Sequence, residues 1–139
     1  MKRRKGLHKT GSTDRQKLIA KLDIAFSKMI RERDALLGCI TCGAQGKMDA
    51  GHFVRREKMS TRWNPFNCNS QCLRCNRFQG GNGAEYSYAL GKKYTLDVPR
   101  LLVEKSREIK QWDIKELEQL LDACKKGYPV YVQLYNELI

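Results

Sequence analysis

Two Cys-x-x-Cys pairs, Cys39 with Cys42 and Cys72 with Cys75, are the residues of this chain most committed to chemistry. Each pair presents two thiolates from one tight turn, which suits the tetrahedral preference of zinc. Four thiolates fill that coordination sphere and leave no place for water, so the expected ion is a structural Zn²⁺ rather than a catalytic one. A redox-active dithiol, the competing use, needs only one such pair, preferably at a helix start after a strand. The 29 residues between Cys42 and Cys72 exceed what a compact zinc ribbon requires. Something else is built inside that interval.

The interval holds Asp49-Ala50-Gly51-His52-Phe53, then Arg62-Trp63-Asn64, then Asn67, and Asn76 directly follows Cys75. An imidazole with a pKa near about 6.5 is suited to taking a proton from water, the step that phosphodiester hydrolysis demands. His52 is the candidate base. The other histidine, His8, lies in the basic N-terminal residues, where no fixed role is expected. Such hydrolysis also calls for Mg²⁺ or Mn²⁺ on oxygen ligands, to stabilise charge developing on the phosphate. Asp49 is the nearest acid. Residues three apart on a regular strand face opposite sides, so Asp49 and His52 converge on one catalytic ion only if the chain bulges, which Gly51 permits. Arg55, Arg56 and Lys58 follow the base closely, Arg62 adjoins Trp63, Arg74 lies within the second knuckle and Arg77 just after it; all six are candidate phosphate contacts. Trp63 reads as core packing, Asn64 and Asn69 as turn chemistry, and Cys68 and Cys124 as small apolar side chains.

The overall charge agrees with a polyanionic partner. Lys and Arg number 27 against 15 Asp and Glu, a net charge of +12, more than solubility requires; nucleic acid comes first, ahead of an anionic membrane or an acidic protein. No apolar run reaches the length of about 18 residues needed for a membrane span, and Met1-Lys2-Arg3-Arg4-Lys5 leads into polar residues rather than a signal core. A cytoplasmic protein without a membrane partner is expected, and in that setting cysteines hold metal rather than disulfides.

The elements that must position these groups read as follows. Residues 1–12 form a basic arm. A single domain, 13–139, then comprises a helix over 13–37, a zinc and catalytic module over 38–83, and a helical scaffold over 84–139. The first helix carries Leu18, Leu22, Phe26, Met29 and Leu36 at helical spacing, with Thr13 as its cap. Residues 48–55 are strand-like, and Gly80-Gly81-Asn82-Gly83 closes the module as a turn. Helical patterns follow over 84–92, 99–110, 113–125 and 129–138; in the third of these, Asp113 and Glu116 form a capping box. The fold class is α+β and mostly helical.

The order Cys-x-x-Cys, His, Asn, Cys-x-x-Cys-Asn resembles the zinc-bound HNH nucleases, whose fold is a small ββα-metal, treble-clef-like module. More narrowly, Asp49-Ala50-Gly51-His52, Arg62-Trp63-Asn64, Gln71-Cys72-x-x-Cys75-Asn76 and Gly81-Asn82 resemble the NinG/Rap family of lambdoid phage recombination proteins. Ile30-Arg31-Glu32-Arg33-Asp34 joins that likeness, which extends over about 100 residues. The resemblance implies a structure-specific endonuclease of branched DNA such as Holliday junctions and D-loops, acting in a phage-infected or lysogenic bacterial cell beside other phage recombination proteins. It implies Asn76 as a ligand of the catalytic ion, and Asn67 as the amide that fixes the loop and orients the base. Two departures stand out: Gly51 occupies the place directly before the base where many HNH enzymes carry an acid, and Gln79 stands where a lysine is common. Symmetric resolution of a junction needs two nicks, which makes a homodimer attractive, although no interface can be read from the sequence. The runner-up reading is a non-catalytic zinc-finger DNA- or RNA-binding protein. A third is an interaction module that uses zinc only to fold.

Overall fold

The computed structural model describes residues 13–139; the basic arm expected over 1–12, with His8, lies outside the described residues. Helix α1, Asp14–Arg33, begins at a capping box in which the Thr13 hydroxyl accepts from the Gln16 amide and the Gln16 side chain accepts from the Thr13 amide. Its Leu22, Phe26, Met29 and Ile30 stripe is buried. The helix stops four residues short of the expected 37, and Leu36 is 94% exposed instead of lying on the buried face. Asp34 explains the stop. Its carboxylate turns inward to accept from Arg33, Lys93 and the Ser70 amide, drawing the chain off its helical course. Gly38 then turns at φ +71, where a Cβ would lie 2.8–3.0 Å from Gln45 and the Gly43 and Ala44 carbonyls.

Strands β1, Met48–His52, and β2, Cys68–Cys72, pair antiparallel in a register running from Met48↔Cys72 to His52↔Cys68. β1 is thus shorter than the strand expected over 48–55. A two-stranded ribbon is marginal in water. This one packs against α1 through Ala50 and Cys68 on its inner face.

A short π-helical turn, Arg74–Phe78, leads to α2, Gly83–Lys93, α3, Val98–Ser106, α4, Ile114–Lys126, and α5, Tyr128–Leu138. α3 ends four residues before the expected 110. The chain then runs without helix, so that Trp112 enters the core and donates from Nε1 to the Met59 carbonyl at 2.9 Å. The Asp113–Glu116 capping box opens α4 as read from the sequence.

The main core joins α1, α4 and α5 around Trp63, Trp112, Tyr131 and Tyr135; Cys68 and Cys124 are buried in it. A smaller cluster, Tyr86, Leu90 and Leu102, packs α2 and α3 against Phe53 and Val54. The result is a mostly helical α+β protein with one small antiparallel sheet. No helix of the described residues is long and apolar enough to cross a membrane.

Candidate active site and metal centre

Cys39 and Cys42 come from the turn after Gly38, Cys72 ends β2, and Cys75 lies in the π-helical turn. Their four sulfurs lie within 4.8 Å of one another. Bonds of about 2.3 Å to a tetrahedral ion imply sulfurs separated by about 3.8 Å, and Cys42 and Cys72 stand 3.7 Å apart. The Ala44 amide favours a Cys42 thiolate, but burial and the Cys39, Cys72 and Cys75 sulfurs outweigh it and push this thiol up to about 12. So much sulfur in so small a space cannot ionise fully without a cation at its centre. The donor set fits one metal ion and suits zinc.

Beyond this centre, a cavity of about 320 Å³ is lined by residues of α1, β1, the loop after β1 and the segment after β2, including Asp23, Ser27, His52, Arg56, Asn76 and Gly81. Within it, His52 Nε2 lies 2.8 Å from the Arg62 carbonyl oxygen. A carbonyl only accepts, so Nε2 carries the proton and Nδ1 is left as the acceptor of the ring. Burial pushes the His52 pKa below its ordinary value, although the Arg62 carbonyl and the Asp23 charge favour the protonated ring. At neutral pH the ring is therefore neutral, with Nδ1 as its accepting atom. The Cys68 thiol, kept protonated by complete burial, donates to Nδ1 across a long 4.0 Å contact.

Asn76 shares the His52 cavity, and its Nδ2 donates to Asp49 Oδ2 at 2.9 Å. A carboxylate accepts only, so the amide orientation is determined and Oδ1 is the atom left for a cation. Asn67 is fully buried; its side chain accepts from the Val54 amide and donates to the Val54 and Thr61 carbonyls, tying down the loop after His52.

Asp49 departs from the expectation. The β1–β2 register is one to one, with no bulge, and Asp49 does not line the His52 cavity. Its carboxylate is taken by Asn76 and by a bidentate Arg77. Although partial burial opposes ionisation, the Arg77 and Asn76 hydrogen bonds and the Arg77 charge hold its pKa below the usual carboxylate value. Asp49 thus positions Asn76. Gly51 has a different task from bulging: a Cβ there would meet Gln71 Oε1 at 2.2 Å and Gln71 Cβ at 3.0 Å. The fully buried Gln71 lies across Gly51 and donates to the Gly81 carbonyl on the cavity wall. Gly51→Ala should displace Gln71 and destabilise the fold by about 1–3 kcal/mol, as overpacking does; an unchanged denaturation midpoint would contradict this close fit.

Among the expected phosphate contacts, Arg55, Arg56, Lys58 and Arg74 are exposed. Arg62 is not available in the same way. Its guanidinium forms a bidentate pair with Asp23, and the side chain is only 16% exposed. Arg77 remains exposed while paired with Asp49.

Asp23 is the site residue that sequence reasoning missed, since on α1 it reads as one more charge of a solvated face. It accepts from Arg62 Nε and Nη2 and from Trp63 Nε1. It thereby fixes the backbone whose carbonyl holds His52. Asp23→Ala would leave the Arg62 guanidinium without its carboxylate and the Trp63 donor without an acceptor, at a cost of about 3 kcal/mol. Chemical denaturation of Asp23→Ala, Arg62→Ala and the double variant checks this, with strongly non-additive losses expected; additive losses would mean the pair is not coupled.

Fold and site together define a small, mostly helical protein with a cluster of four cysteines able to hold one metal ion and a histidine-bearing cavity. The chain belongs to the NinG family, whose model, Bacteriophage Lambda NinG protein, matches residues 1–128. It is 30% identical over 117 residues to Protein ninG of Escherichia phage lambda, which covers 82% of this chain and 53% of that protein. Protein ninG of Salmonella phage P22 is likewise 30% identical over 117 residues, covering 82% and 54%. Protein ninG of Escherichia phage 933W is 36% identical over 69 residues, covering 48% and 34%. The chain spans about half the length of the lambda and P22 relatives. No solved structure matches it.

Proposed function

We propose that this protein is a metal-dependent endonuclease of branched DNA recombination intermediates, built on an HNH-type ββα module whose structural zinc sits in the four-cysteine centre. The observation that carries the reading is the shared cavity: a neutral imidazole with a determined tautomer and an asparagine with a determined amide orientation face one space. In this scheme His52 Nδ1 takes the proton of an attacking water, while Nε2 stays on the Arg62 carbonyl and keeps the ring in place. Asn76 Oδ1 would hold Mg²⁺ or Mn²⁺ together with phosphate oxygens of the substrate. When bound, that ion would stabilise the charge developing on the phosphate and the leaving oxygen. Arg55, Arg56, Lys58 and Arg74 supply charge for the DNA backbone.

The second reading, a zinc-dependent DNA-binding protein without catalysis, is favoured by one observation. Both carboxylates beside the site, Asp23 and Asp49, are committed to arginines, which leaves Asn76 without an acidic co-ligand. Incubating the zinc-loaded protein with synthetic four-way junctions, forks and linear duplexes, with and without added Mg²⁺ or Mn²⁺, separates the two. Nicking of branched substrates that depends on the added ion supports the nuclease; tight binding with no product under any ion supports the binder.

A further inference from the structure

Phe78 is a large apolar side chain left in solvent, 83% exposed and part of neither hydrophobic cluster. Leu36, Leu96 and Ile109 are as exposed, but Phe78 alone of these lies in the segment that forms the cavity wall. It sits midway between Asn76 and Gly80-Gly81, all three of which line the His52 cavity. The turn that carries it is π-helical, a rare geometry concentrated at functional sites. Gly80 and Gly81 adopt positive φ, and a Cβ at either would meet nothing within 4 Å, so the wall beside the ring is open to a ligand. Cationic groups share this segment and the cavity: Arg74 is exposed on the same turn, Arg77 is exposed there while paired with Asp49, and the exposed Arg56 lines the cavity.

A flat apolar ring exposed on a turn that also carries the exposed Arg74, on a chain of net charge +12, matches one ligand chemistry well. We propose that Phe78 is a stacking platform for an unpaired base of a DNA strand whose phosphates run along Arg74 and Arg56. Every base offers a π-face, so such a platform distinguishes unpaired from paired DNA without reading sequence. This extends the DNA-directed part of the function proposed above. In a continuous duplex the bases are stacked on one another and unavailable to the ring, whereas a strand opened at a branch can place one on it.

The test compares wild type, Phe78→Ala and Phe78→Trp for binding to a short single strand carrying 2-aminopurine and to a blunt duplex of equal length. No Mg²⁺ or Mn²⁺ is added, so cleavage does not enter. Phe78→Ala should weaken single-strand binding roughly tenfold, within the range seen when stacking aromatics are removed, and change duplex binding by less than about twofold. Phe78→Trp should restore single-strand affinity. Contact with the wild-type or Trp ring, but not with Ala, should change the 2-aminopurine fluorescence. Equal losses on both DNAs, or no loss on either, would overturn the proposal. The two readings fail separately: stacking without any ion-dependent nicking removes only the nuclease, and nicking with an indifferent Phe78→Ala removes only the platform.

Discussion

His52→Ala is expected to lower cleavage of branched DNA by roughly 10²–10⁴-fold, the usual contribution of a positioned general base, while zinc content and DNA affinity stay near wild type. Among the described residues that line the cavity, the one carboxylate, Asp23, is held by Arg62 and Trp63 and does not replace the ring. Single-turnover nicking assays alongside metal analysis and binding measurements decide the matter; unchanged cleavage would refute the assignment of the base. Acid should reveal the same residue. Because burial lowers the His52 pKa from 6.5, cleavage should hold its plateau through neutral pH and fall only as the pH drops through that lowered value. Stability follows with a definite sign. Below pH 6.5 the unfolded chain binds the proton before the folded one does, so the contribution of His52 is complete above that pH and is lost progressively on acidification. His52→Ala should remove this part of the acid sensitivity, which denaturation series at several pH values would show.

The second large effect concerns the metal. Stripping it with a chelator, or replacing Cys72 by serine, should unfold the segment around the two strands. Structural zinc contributes on the order of 10–16 kcal/mol in small zinc modules, as much as the whole stability of a typical domain. Both ends of the site hang on the cysteines: β2 ends on Cys72, and the turn bearing Asn76 contains Cys75. α1, α4 and α5 share their own apolar core, so helical content should fall less than the ordered signal of the site. Near-ultraviolet circular dichroism of the stripped protein, with recovery on adding one equivalent of zinc, checks the prediction. An unchanged melting temperature after complete removal would mean that the thiolates do not hold the fold.

The features legible in the sequence are those whose cause is local. Two cysteines three apart must share one turn, whatever surrounds them, and a capping box such as Asp113 with Glu116 is complete within four residues. The helical stripe of α1 from Leu22 to Ile30 is local in the same sense. What escaped reading depends on partners far along the chain. α1 ends at Arg33 because Asp34 is drawn toward Ser70 and Lys93. Asp23 matters because Arg62 and Trp63, some forty positions later, converge on it. Arg62 and Arg77 read as free charges until their carboxylates appear in space. Gly51 suggested a bulge, whereas the space it leaves serves Gln71 on the neighbouring strand.

The hairpin also acts as a spacer. Its first rung joins Met48 to Cys72 at the cysteine end, and its last joins His52 to Cys68 at the histidine end, so four strand steps of about 3.4 Å each set how far one lies from the other. Successive strand residues alternate sides, and a deletion of one position between 48 and 52 would therefore shorten the spacer and rotate the imidazole out of its cavity together. Descendants of this scaffold are free to lengthen the loops on either side, but the count of residues within that short stretch is bound to stay constant for as long as the histidine has work to do.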